Sequence, residues 1–320
     1  MKSGPWRHES VLLALVLLEV LGFSLFGRNF ATADNVGNLI RHSTEIGLLA
    51  LVLLPVILTG GIDLSVGSLL GLCAVLFGWM CQEAGLHPLI ATAATLGCGA
   101  LAGVVNAALI TGLRLPPLIV TLGTYSLFRG LAEAFTRGTV TYSTFPPAFL
   151  EFGQGTLLGL PYQAWVLLSV ATGVWLLVHQ TTFGRSFRAI GFSPEGARHA
   201  GLPVGHRVAL AYVLAGLIAA LAAVIYTARV TQARADAGTG YELLAITAVV
   251  LGGTSIFGGK GSVPGTLLGV IAMAVLANGL TRIVPLMAVS RELAGMLTGV
   301  LLIAALAISQ RTGPESDCRR

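Results

Sequence analysis

Long apolar runs alternate with short polar joints along most of the chain, near 11–26, 46–60, 66–82, 89–112, 117–136, 163–180, 207–229, 243–258, 263–283 and 292–309. An α-helix rises about 1.5 Å per residue, so a bilayer core takes about 20 apolar residues, and each run meets or approaches that length. The pattern predicts an all-α, polytopic integral membrane protein of about ten transmembrane helices. The joints are short. Only 27–45, 137–162 and 181–206 have room for structure of their own, so 1–320 reads as a single transmembrane domain.

Composition agrees. The chain is 55% hydrophobic and only 10% charged, where soluble domains carry about 25% charged residues, and its mean hydropathy is +0.84. A soluble globule is excluded. The 41 glycines follow no three-residue period, which excludes collagen; they point to close helix packing and broken helices. The net charge of +5 is spread between the apolar runs, so it carries topology rather than a nucleic-acid patch.

With the amino terminus inside, Lys2, Arg7, Arg114, Arg185, Arg188, Arg198, Arg207, Lys260, Arg311, Arg319 and Arg320 fall on the cytoplasmic side. Arg28, Arg41, Arg137, Arg229, Arg234, Arg282 and Arg291 fall outside or at its boundary. The bias has the sign of the positive-inside rule and places both termini and the 181–206 loop in the cytoplasm. Ala31-Thr32-Ala33 imitates a peptidase site after the first run, but Gly27-Arg28-Asn29 intervenes, which favours an uncleaved first helix. Cys73, Cys81, Cys98 and Cys318 form no CxxC pair, and the six histidines are scattered. No disulfide, metal or cofactor is expected.

Ionisable groups within the runs are few. Glu19 lies mid-way along the first, with its role open, while Arg129 and Glu133 stand four residues apart on one face of the fifth and are expected to neutralise each other. Two runs end in glycine-rich breaks and restart, through Gly60-Gly61-Ile62-Asp63-Leu64-Ser65-Val66-Gly67 and through Gly252-Gly253-Thr254-Ser255-Ile256-Phe257-Gly258-Gly259-Lys260-Gly261. Each leads into a GxxxG step, Gly67 to Gly71 and Gly265 to Gly269, and Gly295 with Gly299 offers another. Unwound backbone at membrane depth must be buried in protein or line a wet cavity, because lipid cannot satisfy its amides. The breaks therefore supply the candidate translocation path: Gly60, Gly61, Asp63, Ser65, Gly252, Gly253, Gly258 and Gly259. Asp63 fits a helix cap better than a pore charge, with both readings open.

Gly-Gly-Lys-Gly in the second break is not a phosphate loop. Thr254 stands where the leading glycine belongs, and Gly261 where a metal-binding hydroxyl is required. With no GxSxG elbow, HExxH pair or spaced carboxylates either, a membrane enzyme is the weaker class. In the 181–206 loop, Ser193 can cap a short helix with Pro194 in its first position and Glu195 in its first turn, and Gly201 can stop it. Such a helix suits either protein docking or a plain connector.

A resemblance bears on that choice. Asn35 to Ile40, the Gly60 to Ser68 block, Pro116 to Thr124, the Gly184 to Val204 loop, Tyr241 to Ile246 and Asn278-Gly279-Leu280 together resemble the permease subunits of carbohydrate-import ABC transporters, the ribose, xylose, rhamnose and autoinducer-2 branch. The likeness covers roughly 30 to 310, and residues 146–162 with the first glycine block lean to the rhamnose or autoinducer-2 side. It implies a second permease, identical or paralogous, two cytoplasmic ATP-binding subunits and an extracytoplasmic sugar-binding protein, all in the bacterial inner membrane or against it. It also implies that Ser193, Pro194, Glu195, Gly196, Ala197, Arg198 and Gly201 dock on the ATPase. Two positions depart from the family's habit: Ser193, where Asn is frequent, and Leu244, where an acidic or polar residue is common. A permease for branched-chain amino acids or nucleosides, or an ion-coupled secondary transporter, remains the alternative.

Overall fold

Local chemistry sets the ends of the helices. In a computed structural model describing residues 6–283, the order is α1 Trp6–Phe26, α2 Ala33–Leu58, α3 Val66–Gln82, α4 Pro88–Ala107, α5 Pro117–Phe135, α6 Pro147–Gln154, β1 Thr156–Leu157, β2 Leu160–Pro161, α7 Tyr162–Trp175, α8 Thr182–Phe192, α9 Pro194–His199, α10 Val204–Val230, α11 Tyr241–Leu251 and α12 Val263–Ile283. Wider turns over Ala108–Gly112 and Leu176–Gln180 extend α4 and α7. Proline at the first position opens α4, α5, α6 and α9, where its missing N–H costs nothing.

Among the described residues, six helices are long and apolar enough to cross a membrane: α1, α2, α4, α7, α10 and α12, the fourth and seventh with their extensions. Helices α3 and α11 are apolar but shorter, and α5 carries Arg129 and Glu133 within 19 residues. The count of about ten is thus not borne out here. The expected run 292–309, with Gly295 and Gly299, lies outside the described residues, as do Lys2, Arg291, Cys318 and the arginines of the tail.

Three boundaries differ from the sequence pattern. Helix α2 starts at Ala33 rather than near 46, because Thr32 Oγ1 accepts the Asn35 amide at 3.3 Å and the polar positions of its first half find tertiary partners. Helix α11 stops at Leu251, where Gly252 and Gly253 follow and Gly253 takes a φ of +87°. The 137–162 joint contains α6 and a two-residue antiparallel hairpin pairing Thr156 with Pro161 and Leu157 with Leu160, a small departure from an all-helical chain.

Helices α2 and α10 form the middle of the bundle. Leu48 to Leu58 of α2 are buried throughout, and Ala211, Ala215, Ala219 and Ala222 line the buried side of α10. Helix α4 lies close against α10 where Gly99 and Gly103 meet Gly216 and Tyr212, since a Cβ at these glycines would strike the facing backbone. Helix α1 runs parallel to α12, with Glu9 meeting Ser262 near one end and Phe23 against Gly279 near the other.

Candidate functional site

The first glycine break turns its polar groups into the protein. Asp63 Oδ1 accepts the Ser65 amide at 2.8 Å and the Ser65 hydroxyl at 2.6 Å. Asn106 of α4 donates to Ser65 Oγ at 2.9 Å, and Thr121 of α5 donates to the Ile62 carbonyl at 3.1 Å. Asp63 and Ser65 are buried within the single chain. The boundary residue of α3 is Ser65, whose side chain makes no cap, so Asp63 takes an amide just ahead of the helix rather than within its first turn. Gly60 is exposed, whereas Gly61 sits under Tyr212 of α10.

The second break closes mainly on its own backbone. The Ser255 amide reaches the Lys260 carbonyl at 3.0 Å, and the Gly253 amide reaches Val250 at 2.9 Å. Gly252 lies against Gly265 of α12, and Gly269 against Ala248 of α11, so the second GxxxG step seats one helix on another as expected. The first step does not. Gly71 faces the carbonyls of Ala235 and Ala237 in the non-helical segment 231–240, and Gly67 faces Gly238 of that segment and the side chain of Glu242 at the start of α11.

The two breaks meet at one end of the bundle, together with the end of α8. The Gly259 amide donates to the Leu58 carbonyl at 3.0 Å. A Cβ on Gly258 would stand 2.8 Å from Gly60 N and 2.9 Å from Gly191 Cα, and one on Gly191 would run into Leu58 O and Gly259 N. Gly60 and Gly258 hold φ of +82° and +88°, a region that L side chains rarely adopt. Arg188 of α8 adds a clamp, donating to Val178 O at 3.1 Å and to Gly261 O at 3.4 Å. Gly191 was not among the residues singled out from the sequence. Its signal would have been the glycine two positions ahead of the capping serine.

Helix α9 projects from this junction with the anticipated geometry. Ser193 Oγ accepts the Gly196 amide at 3.0 Å, Pro194 is first, and Gly201 takes a φ of +80° beyond the end. Ala197 is buried, while Pro194, Glu195, Gly196, Arg198 and Gly201 are exposed. Phe192 and Phe257 are 87% and 86% exposed, so the aromatic residues nearest the junction lie open.

The expected Arg129–Glu133 pair is not made. Glu133 is exposed, whereas Arg129 turns inward and donates to the carbonyls of Ala235 and Ala237. Buried carbonyls without helix partners draw the guanidinium more strongly than an exposed neighbour one turn away. This reveals a further irregular stretch that the glycine pattern missed. Residues 231–240 lie along the glycine face of α3, bridged to Tyr142 at Ala233 and pressed on Gly78, Gly71 and Gly67. The ion pair of the core was also missed: Arg229 of α10 donates to Glu45 of α2 at 2.7 Å, with Glu45 wholly buried. Glu45 stands one residue before the expected run, so the apolar pattern hid it.

Comparison with known proteins settles the kind of molecule. The chain matches the family described as the permease component of the branched-chain amino acid transport system over residues 35–306. It belongs to this permease family. It is 40% identical over 306 residues to the autoinducer 2 import system permease protein LsrD of Yersinia enterocolitica, covering 93% of this chain and 91% of that protein. The proteins of that name from Photorhabdus luminescens, at 39% with 93% and 90% covered, and from Yersinia pestis, at 38% with 92% and 89%, are similar to it as well. No solved structure matches. As a permease, the chain is a multi-pass membrane transport subunit rather than a catalytic one.

Proposed function

We propose that this permease is the membrane subunit of an ATP-driven importer and forms the path for a sugar-like solute of the autoinducer-2 kind, delivered by an extracytoplasmic binding protein. The similar permeases of autoinducer 2 import systems, which match over nine-tenths of the chain, support the solute class. The family's own description supports a second reading, a permease for branched-chain amino acids. Two ATP-binding subunits and a second permease, identical or paralogous, complete the assembly. The 181–206 loop then couples the single transmembrane domain to the ATPase, with both termini on that side. Helices α3, α5 and α11 complete the spans that the six longer helices begin.

One observation carries the mechanism. Helix α9 is exposed, and its root at Gly191 touches Leu58, which leads into the first break, and Gly258 and Gly259 of the second through backbone alone, while Gly258 in turn rests on Gly60. ATP binding by the partners draws the α9 helices together. The push arrives at both breaks without a flexible side chain in between, and a packed junction of this kind moves as a body. Gly60, Gly61, Gly252, Gly253, Gly258 and Gly259 border the path, and Asp63 with Ser65 braces its wall.

The test replaces the docking face. Glu195→Lys and Gly196→Asp are expected to insert normally but to lose co-purification with ATP-binding subunits in mild detergent and to lower uptake at least ~10-fold, the result of losing about 1.4 kcal/mol at a docking contact. Uptake at the wild-type rate in both variants would remove the docking assignment. Uptake by this chain alone, driven by an ion gradient, would favour a secondary transporter.

A further inference from the structure

At the end of the bundle opposite α9, the last turns of α3 and α5 and the irregular segment after α5 border an open cleft of about 340 Å³ lined by Trp79, Glu83, Phe135, Arg137, Val140 and Tyr142. That volume suits one small solute, since ligand sites start at about 300 Å³. Trp79 and Phe135 meet edge to face, with ring centroids 5.5 Å apart and planes at 87°. They supply apolar ring surface at a place where 38% of Trp79 and 42% of Phe135 stay open. Glu83 and Arg137 bring one charge of each sign. Among the described residues neither side chain forms an ion pair: those formed are Arg229 with Glu45 and Arg234 with Asp236.

The combination selects a chemistry. Aromatic faces pack against the C–H face of a carbohydrate ring. A carboxylate accepts from hydroxyl groups, and a guanidinium donates to hydroxyl or ring oxygens in a fixed fork. The opposed charges favour a neutral solute, because an ion of either sign would leave one of the two groups repelled. A small polyhydroxylated molecule and a zwitterionic amino acid both use these features, and the autoinducer 2 import systems to which the similar proteins belong favour the first.

The cleft is also tied to the interior. Tyr142 exchanges both backbone hydrogen bonds with Ala233, at 3.2 and 2.8 Å. Ala233 heads the segment that runs along Gly78, Gly71 and Gly67 under the grip of Arg129. The wall of the cleft is therefore continuous with irregular backbone at membrane depth, which proteins keep where it borders a pathway.

We propose that the cleft lined by Trp79, Phe135, Tyr142, Glu83 and Arg137 is a receiving station for a neutral monosaccharide-like solute, on the side where a binding protein delivers it. This assignment rests on the importer reading and names where the solute first touches the permease. The assembled transporter in detergent, titrated with ribose and followed by saturation-transfer NMR, tests it. Ribose is expected to bind at about millimolar strength, typical of a transit site. Trp79→Ala should abolish the transferred signal, Trp79→Phe should restore part of it, and Glu83→Gln or Arg137→Gln should each weaken binding by ~10-fold, as the loss of one charge-assisted hydrogen bond does. Monodisperse elution of each variant shows that it is folded. No saturable ribose binding by the wild type, or equal binding by wild type and Trp79→Ala, overturns the station. So does a variant effect confined to binding-protein affinity. ATP-dependent uptake measured on the same wild-type preparation judges the importer reading separately: uptake with no ribose signal sinks the station alone, and ATP-independent uptake sinks the importer alone.

Discussion

The two glycine breaks look alike in sequence and are held in opposite ways. In the first, side chains from three other helices close over the segment: Asn106 on the Ser65 hydroxyl, Thr121 on the Ile62 carbonyl and Tyr212 over Gly61. In the second, the backbone folds on itself and is mostly open, with Phe257 and Lys260 exposed. In the proposed pathway the first serves as the wall and the second as the hinge, because a buried side-chain network loses several bonds at once when it moves while a glycine turn changes φ and ψ at small cost. They share only the point where Gly258 and Gly259 rest on Leu58 and Gly60.

The largest effect is expected at that shared point. Gly258→Leu places a side chain in a left-handed conformation against two backbones; strain and overpacking of about 1–3 kcal/mol each should lower stability by ~2–6 kcal/mol and abolish uptake, read by thermal unfolding in detergent and by vesicle flux. Wild-type flux in this variant would dissolve the hinge. A smaller loss follows at the wall. Asn106→Leu removes the donor to Ser65 but also removes Asn106 Oδ1, a buried acceptor that has no partner among the described residues. The two effects oppose, so ~1 kcal/mol of destabilisation is expected, with uptake reduced rather than lost. The smallest effect belongs to Lys260→Ala. Its exposed side chain leaves the Ser255 to Lys260 backbone bond intact, and stability should stay within ~0.5 kcal/mol. A larger shift at Lys260 than at Asn106, in the same unfolding assay, would invert the comparison.

Much of this was legible in the chain. The apolar runs placed the long helices, and the Ser193, Pro194 and Gly201 signals placed α9 to the residue, since capping is local chemistry that needs only neighbours. The breaks were legible as breaks. Their partners were not: Asn106, Tyr212 and Gly191 lie 41 or more positions from Ser65, Gly61 and Leu58, the residues they meet in or beside the first break, and no spacing rule links them. The Arg129–Glu133 pair failed for the same reason. Helical spacing put both on one face, but the carbonyls of Ala235 and Ala237 arrive from a distant loop and compete successfully.

Sequence by itself determined that this chain is a helical membrane protein with two glycine interruptions and a capped surface helix, because hydropathy, glycine and capping act over a few residues and are satisfied locally. Only the tertiary structure decided that both interruptions converge on the root of that helix, that a third stretch of backbone runs beside α3, and that Arg229 neutralises Glu45. Those contacts arise when buried polar groups with no local partner must find one across the bundle, and a one-dimensional pattern does not carry that search.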